Sequence, residues 1–243
     1  MFALKDVCDF RPAKAEARSR LRDADPVSFV PMEDLGIDHR VLKPEKTRLL
    51  SEVNGSYTYF ANGDVLLAKI TPCFENGKLG IAQNLVNGVG FGSSEYIVLR
   101  PRGELTNEWL YYCLSRSGFR ALGAASMSGA VGHKRVSKDF IESYQIPVPP
   151  LSEQQRLTRA LDELLGSISE ARDRAKRNIQ NSRALFDQHL AAVFNDAQTE
   201  VTLEHVAVEI TDGGHMPPPK SKAGIPFITI SNINRQTREI DFS

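Results

Sequence analysis

Residues 146–155 read Ile-Pro-Val-Pro-Pro-Leu-Ser-Glu-Gln-Gln and mark the point where one kind of structure gives way to another. The three prolines lack backbone N–H groups and push the residues before them toward extended geometry, so a folded domain should end here in a short rigid strap. A helix is predicted to begin directly afterwards, with Ser152 as its N-cap and Gln155 completing a capping box.

The predicted helix is long and carries a single apolar stripe. From residue 151 to about residue 193 there is no proline, and the only glycine is Gly166. Its apolar residues recur at three- and four-residue steps: Leu157, Leu161, Leu164, Leu165, Ile168, Ala171, Ala175, Ile179, Leu185, Phe186, Leu190 and Val193. About 40 residues make a rod of roughly 60 Å, too long for one small domain to cover. We therefore expect a coiled-coil-type helix with a partner helix; the alternative is a long helix lying on its own domain.

Length and composition restrict the class of protein. A chain of 243 residues can form one large or two modest domains, and 41% hydrophobic with 25% charged residues is typical of a soluble globular protein. No apolar run reaches the roughly 18 residues needed to span a bilayer, and the N-terminus lacks the apolar segment of a signal peptide. A cytoplasmic location without membrane contact is expected, with Cys8, Cys73 and Cys113 as buried, reduced thiols.

The two ends of the chain resemble each other. Leu4-Lys5-Asp6-Val7, then Phe29-Val30-Pro31-Met32-Glu33-Asp34-Leu35, matches Leu203-Glu204-His205-Val206, then Phe227-Ile228-Thr229-Ile230-Ser231-Asn232-Ile233, at nearly the same spacing. Each copy predicts a short amphipathic turn, a polar loop and a strand ending at Asp or Asn. The alternative is chance similarity. Because the second copy stops at Ser243, we expect a truncated second domain, or a final strand that pairs with something already folded.

Residues 57–150 read as a mixed α/β body. Strand-like runs at 57–60, 65–68, 80–83 and 96–99 are separated by Asn-Gly pairs, of which those at Asn76 and Asn87 are the better hairpin candidates. Thr106 is predicted to cap a helix that runs to about Leu122. The expected fold class is α+β: a mixed α/β domain over 1–150, a long coiled-coil-type helix over 151–195, and the start of a second, incomplete domain over 196–243.

The usual catalytic signatures are missing. Asn76-Gly77-Lys78 lacks the upstream glycine and the following Ser or Thr of a P-loop, and there is no nucleophile elbow, zinc-protease helix or glycine-rich dinucleotide turn. The histidines and cysteines are scattered without metal-ligand spacing. We therefore expect no catalysis by this chain, no cofactor and no metal.

One segment suits an anionic partner. The basic loop, residues 126–137, reads Ser-Met-Ser-Gly-Ala-Val-Gly-His-Lys-Arg-Val-Ser and closes on His133, Lys134 and Arg135. Its backbone and cations could approach phosphates or base edges, and Lys69 and Lys78 could extend the same face. A solvated basic turn is the alternative. Because the net charge is zero, affinity for DNA would have to come from such a patch, or from a partner that supplies most phosphate contacts.

These motifs together resemble a known family. Gly63-Asp64-Val65-Leu66-Leu67-Ala68-Lys69-Ile70, Ser94-Glu95-Tyr96-Ile97-Val98-Leu99-Arg100-Pro101, His133-Lys134-Arg135-Val136 and the 146–155 junction are similar to the DNA specificity subunit of type I restriction-modification systems. Asp212-Gly213-Gly214-His215 and Ile225-Pro226-Phe227-Ile228 resemble the opening of that family's second target-recognition domain. The resemblance covers nearly the whole chain.

The resemblance implies a non-catalytic, sequence-specific subunit that binds double-stranded DNA. Two target-recognition domains would each read half of a split sequence, held apart by paired long helices. Those helices would dock methyltransferase subunits, which carry S-adenosylmethionine, with restriction subunits nearby. Residues 1–150 would be the first target-recognition domain and 151–195 a spacer and docking arm, and the candidates for DNA contact are Lys69, Lys78, His133, Lys134 and Arg135. A complete member would add the rest of the second recognition domain and a second long helix.

Two other hypotheses stay open. In one, the chain is a half-size specificity subunit whose helix pairs with a second copy, giving a symmetric target. In the other, it is a helical adaptor that docks enzymes without reading DNA. The bases recognised do not follow from the sequence, because direct readout depends on which loop side chains face which base edges.

Overall fold

A computed structural model of the chain describes residues 1–130, 132–195, 201–209, 228–229, 232–234 and 239–240. The elements in chain order are β1 (Phe2–Ala3), α1 (Leu4–Val7), β2 (Cys8–Phe10), α2 (Ala15–Arg20), β3 (Pro26–Val30), β4 (Lys46–Leu49), α3 (Leu50–Val53), β5 (Thr58–Ala61), β6 (Val65–Ala68), β7 (Leu79–Ile81), β8 (Val89–Gly92), β9 (Tyr96–Pro101), α4 (Asn107–Ser115), α5 (Ser117–Ala125), α6 (Lys138–Ser143), β10 (Gln145–Ile146), α7 (Leu151–Asn195) and α8 (Leu203–Val206). Short 3-10 turns occupy Met32–Asp34 and Val86–Gly88. The chain divides into two compact units, residues 1–175 and 176–243.

The strands described in the first unit form two four-stranded sheets and one short ladder. The first sheet has the order β2-β9-β6-β7 and is antiparallel throughout. The second has the order β4-β3-β8-β5, in which β3 and β8 run parallel and the other pairs antiparallel. The β1–β10 ladder joins residues 2–3 to residues 145–146, so the domain's first strand closes against its last.

Both faces of the first sheet are covered, which explains why β6 is apolar at every position. Val65 and Leu67 belong to a cluster shared with α4, α5 and α6, whereas Leu66 and Ala68 belong to a cluster shared with the second sheet. A third cluster lies on the far face of the second sheet, against α2 and α3. The layers therefore run helices, sheet, sheet, helices, and the predicted α+β class is confirmed.

The four predicted strand runs are confirmed as β5, β6, β7 and β9, with some ends shifted by one or two residues. Asn76 lies in the connection of the β6–β7 hairpin, as predicted. The hairpin prediction at Asn87 is wrong, because β7 and β8 lie in different sheets. Asn87 and Gly88 instead form a tight turn with φ of +54° and +71°.

The prediction of a helix after Thr106 is confirmed for its start and wrong for its end. The Thr106 hydroxyl accepts a hydrogen bond from the Trp109 N–H at 3.2 Å. Arg116 is extended and divides the predicted helix into α4 and α5. The break directs Phe119 into the first cluster, where the centroids of the Phe119 and Tyr144 rings are 4.7 Å apart.

The long helix is confirmed as one element, α7, over Leu151–Asn195. It begins at Leu151, two residues before the first helical position that a Ser152 N-cap predicts, and the N–H groups of Glu153 and Gln154 both donate to the Pro150 carbonyl, at 2.9 and 3.1 Å. Ser152 therefore lies inside the first turn, and the predicted capping box with Gln155 is wrong.

Much of the apolar stripe of α7 is exposed. Its large apolar side chains beyond the first three turns are 43–66% exposed: Leu164, Leu165 and Ile168 in the first unit, and Ile179, Leu185, Phe186, Leu190 and Val193 in the second. An exposed apolar stripe at helical spacing is the kind of surface that a partner helix covers.

The described positions of the second copy share the local geometry of the first. In α1 the Cys8 N–H closes the turn on the Leu4 carbonyl, and in α8 the Ala207 N–H closes it on the Leu203 carbonyl. Asp34 N–H donates to the Pro31 carbonyl at 3.1 Å, and the matching Asn232 N–H donates to the Thr229 carbonyl at 3.0 Å. Residues 212–215, 225–227 and 230–231 of the predicted motifs lie outside the described residues.

All three cysteines are free thiols, and the predicted burial is confirmed for two of them. Cys8 and Cys113 are buried and Cys73 is half-buried. Burial raises the pKa of Cys8 to about 12 and that of Cys113 to about 11, so both stay protonated. These two side chains act as small apolar groups in the first cluster.

Candidate nucleic-acid interface

The basic loop is closed at its base by backbone pairing. Ser128 and Arg135 exchange both backbone hydrogen bonds, at 3.1 and 2.8 Å. Gly129 has a φ of +124°, and a Cβ there would lie 3.0 Å from the His133 carbonyl oxygen. Glycine therefore permits a tight loop, and His133 and Lys134 are exposed on it.

Backbone pairing also joins the basic loop to the segment after β6. The Val136 N–H donates to the Lys69 carbonyl at 2.9 Å, and the Thr71 N–H donates to the Lys134 carbonyl at 2.9 Å. The fold therefore brings together Lys69 and Arg135, which lie far apart in the sequence.

Glu95 is the acidic partner of these two cations. Its Oε1 and Oε2 accept hydrogen bonds from Nη2 and Nε of Arg135 at 2.7 and 2.9 Å, a bidentate pair. The Lys69 ammonium lies 3.8 Å from the same carboxylate and donates to the Ser94 carbonyl at 2.9 Å. The hydrogen bonds from Arg135 lower the pKa of Glu95, so one charged carboxylate serves two cations.

Lys69 is the more enclosed of the two cations. Its side chain is 17% exposed. Burial lowers its pKa, Glu95 opposes this effect, and the charges of Arg11 and Arg135 add to it. An ammonium group in this setting is stabilised by any additional anion.

Lys78 lies apart from the other candidates. Its ammonium donates to the carbonyl oxygens of Met32 and Glu33, at 2.7 and 3.3 Å. Lys78 stands opposite Ala68, which belongs to the cluster between the two sheets. Lys69 follows Ala68 in the chain and lies on the other side of the first sheet, so the two lysines do not share a face.

A cleft of 430 Å³ collects the cations on the helix side of the first sheet. Its lining residues are Phe10, Arg11, Lys69, Ile97, Arg135, Val136, Lys138, Ile141 and Glu142. Sequence reasoning missed Arg11 and Lys138 and did not assign Glu95 a role. Arg11 follows β2, and only the pairing of β2 with β9 brings it here. No local pattern in the sequence signals that contact.

A second candidate surface lies where α7 leaves the domain. Gln154 is fully buried, and its Oε1 accepts hydrogen bonds from the N–H and hydroxyl of Thr106 at 3.0 and 3.2 Å. Its Nε2 donates to the carbonyl oxygens of Glu104 and Pro149, both at 2.8 Å. The side chain therefore ties the first turn of α7 to the loop before α4.

An apolar groove of 450 Å³ continues from this attachment. It is lined by Trp109, Tyr112, Cys113, Ser115, Arg116, Pro147, Leu161 and Leu165. The hydroxyl of Tyr112, one of the lining residues, donates a hydrogen bond to Asp162, which also pairs with Arg40. Leu165 belongs both to the groove and to the exposed stripe of α7, so the groove continues into the part of the stripe that lies in the first unit.

The part of the chain that the structure describes holds no group of three His, Cys, Asp or Glu side chains placed to bind a metal ion. Within the same residues, no helix combines the length and the apolar character required to cross a membrane.

Comparison with known proteins gives a family match. Residues 1–176 match the family described as the type I restriction modification DNA specificity domain. The chain is 33% identical over 186 residues to the type I restriction enzyme EcoEI specificity subunit of Escherichia coli, and 32% identical over 186 residues to the EcoAI specificity subunit of that organism. Each alignment covers 76% of this chain but only 31% or 32% of the relative. The chain thus spans about a third of the length of the curated relatives it matches.

A solved structure supports the architecture. It is described as the structural basis underlying complex assembly and conformational transition of the type I R-M system, and it matches with a TM-score of 0.52 and 21% identity. The match covers 80% of this chain and 44% of that chain. At this identity the likeness concerns the fold alone.

Proposed function

The chain belongs to the type I restriction modification DNA specificity family, and from that premise we propose that it is the non-catalytic, sequence-specific DNA-binding component of such a system. Residues 1–150 act as the first target-recognition domain, residues 151–195 as a helical spacer and docking arm, and residues 196–243 as the beginning of a second recognition domain. A protein that marks host DNA in this way works in the cytoplasm.

One observation supports DNA reading by residues 1–150 most directly. The exposed His133 and Lys134 stand on a loop with a fixed base, beside a cleft lined by four cations. Phosphate contacts position a protein on DNA, while side chains that reach the grooves read the bases. In this proposal Lys134 and His133 reach the duplex, and Lys69 and Arg135 hold its backbone. Lys78 contributes least, because two carbonyl oxygens already occupy its ammonium.

The proposed partners of α7 are methyltransferase subunits. The exposed stripe and the continuous groove beside Trp109 offer a long apolar surface at the point where α7 meets the domain. The methyltransferase subunits supply catalysis and S-adenosylmethionine, and restriction subunits join the same assembly.

Selection from random duplexes tests the proposal. The purified chain is mixed with the methyltransferase subunits of its host and a pool of randomised DNA, and the bound fraction is sequenced. We expect enrichment of a defined motif. Binding to the methyltransferase without any enriched motif would contradict sequence reading and favour the adaptor hypothesis.

The basic loop is tested by removing two of its cations. Lys134→Ala with Arg135→Ala should weaken binding to specific and random duplexes alike and reduce the slope of log K against log salt by about one to two. The control is Lys5→Ala with Arg22→Ala, which removes the same charge from two exposed positions that line no described cleft. Equal salt slopes in the two double variants would reject a phosphate contact by the loop.

A second copy is the other candidate partner of α7, and its exposed apolar stripe favours that hypothesis. Two such helices would pair through their stripes and present two identical recognition domains to a symmetric target. Sedimentation of the purified chain distinguishes the cases. A dimer that enriches a palindromic motif supports the half-size hypothesis, and a monomer that enriches a motif only with the methyltransferase contradicts it.

A further inference from the structure

The cleft beside the basic loop carries more positive charge than its acidic neighbours balance. Four cationic side chains line it: Arg11, Lys69, Arg135 and Lys138. Glu95 pairs with Arg135 at 2.7 Å, and Glu142 pairs with Lys138 at 3.1 Å. Four positive charges and two negative charges leave a net charge of +2, which favours an anion as the occupant.

Arg11 is the cation of this cleft that lacks an acidic partner. Its guanidinium forms no ion pair with any carboxylate among the described residues. Its φ is +54°, a left-handed conformation that is uncommon for a residue other than glycine. The Arg11 N–H donates to the Val98 carbonyl at 3.2 Å, which extends the β2–β9 ladder by one residue. The sheet therefore fixes the backbone from which an unpaired guanidinium reaches the cleft.

The remaining lining of the cleft is largely apolar. Phe10, Ile97, Val136 and Ile141 contribute it, and the last three are buried. The volume of 430 Å³ falls in the range of about 300–1,000 Å³ that is usual for small-ligand sites. Cations beside an apolar wall suit a nucleotide unit, because the phosphate takes the charges while the sugar takes the apolar surface.

We propose that this cleft binds one phosphodiester of the DNA backbone, with Arg11 as the principal contact and Lys69 as the second. The inference rests on the proposed function, because it takes DNA as the partner. It adds a phosphate site that anchors the duplex next to the basic loop. Glu95 holds Arg135 at the rim, so the site does not need that side chain to rearrange.

The test uses the chain assembled with methyltransferase subunits and a fluorescent duplex carrying the selected motif. Arg11→Gln should weaken binding roughly tenfold and lower the salt slope by about one, equally for specific and random duplexes. Arg22→Gln is the matched control, because Arg22 is exposed in the loop before β3 and lines no described cleft. Arg11→Lys should keep the salt slope while losing part of the affinity.

Duplexes in which one phosphate is made neutral provide a second test, in which the DNA is altered as well as the protein. Duplexes with a single methylphosphonate are scanned along each strand against the wild-type chain and Arg11→Gln. We expect one position where neutralisation weakens the wild type and has no further effect on the variant. Additive losses at every position would overturn the inference.

The two levels of proposal fail in different ways. If the wild-type assembly binds no duplex, the proposed function fails and the phosphodiester site fails with it. If the wild type binds DNA and Arg11→Gln behaves like Arg22→Gln, only the phosphodiester site fails. Inorganic phosphate is the other source of the same chemistry. A shift of the Arg11 side-chain NMR signal with submillimolar orthophosphate, and none when the bound duplex is added, would overturn DNA as the occupant.

Discussion

Glu95 is a single carboxylate that pairs with two cations, Arg135 and Lys69. Replacing it by the isosteric Gln changes the charge around these cations while keeping the side-chain shape. Glu95→Gln leaves Arg135 and Lys69 without their counter-charge. We expect tighter DNA binding, a salt slope steeper by about one and poorer discrimination between specific and random duplexes, because phosphate attraction carries no sequence information. Fluorescence anisotropy over a salt series measures all three.

Glu153→Gln is the control for that change. Glu153 also forms a bidentate pair with an arginine, Arg156, but it lies at the start of α7 and lines no described cleft. Equal changes of the salt slope in Glu95→Gln and Glu153→Gln would contradict a specific counter-charge role for Glu95.

Asp64 is a buried carboxylate whose hydrogen bonds lie within the domain. Its side chain is 1% exposed and accepts hydrogen bonds from Arg100 at 2.6 and 2.8 Å and from the Ala61 N–H at 2.8 Å. Asp64→Ala should cost about 2–3 kcal/mol of unfolding free energy, because the Ala61 N–H and the Nε and Nη2 groups of Arg100 lose their partner while Glu16 still pairs with Nη1 of Arg100. Urea denaturation measures this cost.

The comparison for Asp64 is Asp9→Ala. Asp9 pairs with Arg102 at 3.4 Å, and both side chains are about half exposed. Removing that pair should cost less than about 1 kcal/mol. Similar losses in the two variants would show that the buried network of Asp64 does not stabilise the domain.

At the scale of elements, the helices and strands that follow a periodic pattern of apolar residues were predicted well. Features that depend on contacts between distant parts of the chain were not. The stripe of α7 and the runs of β5, β6 and β9 follow from local spacing, which reflects which side chains face a core. The break at Arg116, which lets Phe119 reach the first cluster, depends on contacts across the fold. The cationic cleft depends on the pairing of β2 with β9 and was invisible for the same reason.

Gln154, and not the predicted capping box of Ser152 and Gln155, attaches the start of α7 to the domain. The sequence directed attention to Ser152 and Gln155, while the buried residue between them makes four hydrogen bonds to Thr106, Glu104 and Pro149. Gln154→Ala should lower the unfolding free energy by about 1–2 kcal/mol, because the partly buried Thr106 N–H and the Glu104 and Pro149 carbonyl oxygens lose this partner. It should also make the 146–151 strap more sensitive to protease.

Gln155→Ala provides the matched control, since it changes the same residue type one position later on an exposed side. We expect that variant to match the wild type within about 0.5 kcal/mol. Equal protease sensitivity of the two variants would mean that Gln154 does not hold α7 to the domain.

At the scale of the whole molecule, the formal net charge of zero conceals a local excess. Four cations and two acids meet at one cleft although Arg11, Lys69 and Lys138 are far apart in the chain. Composition sums over the whole surface, so it could neither predict nor exclude this patch. Affinity for DNA would then come from a small site and from the partner enzymes.

The internal repeat stays a prediction, and the described positions of its two copies share local turns. The geometry at Asp34 and Asn232 is the same, yet Leu4 is fully buried while Leu203 is 75% exposed. Similar turns follow from similar sequence over a few residues, whereas burial requires the sheets and helices that surround the first copy. The repeat therefore predicted local structure and not packing.

The most direct measurement of the central claim is a methylation map of host DNA in cells that carry this gene, lack it, or carry the Lys134→Ala and Arg135→Ala double variant. The claim is that this chain selects the sequence that its partner enzymes modify. It predicts a defined set of methylated sites that vanishes without the gene and is reduced in the variant. An identical map in all three strains would contradict it.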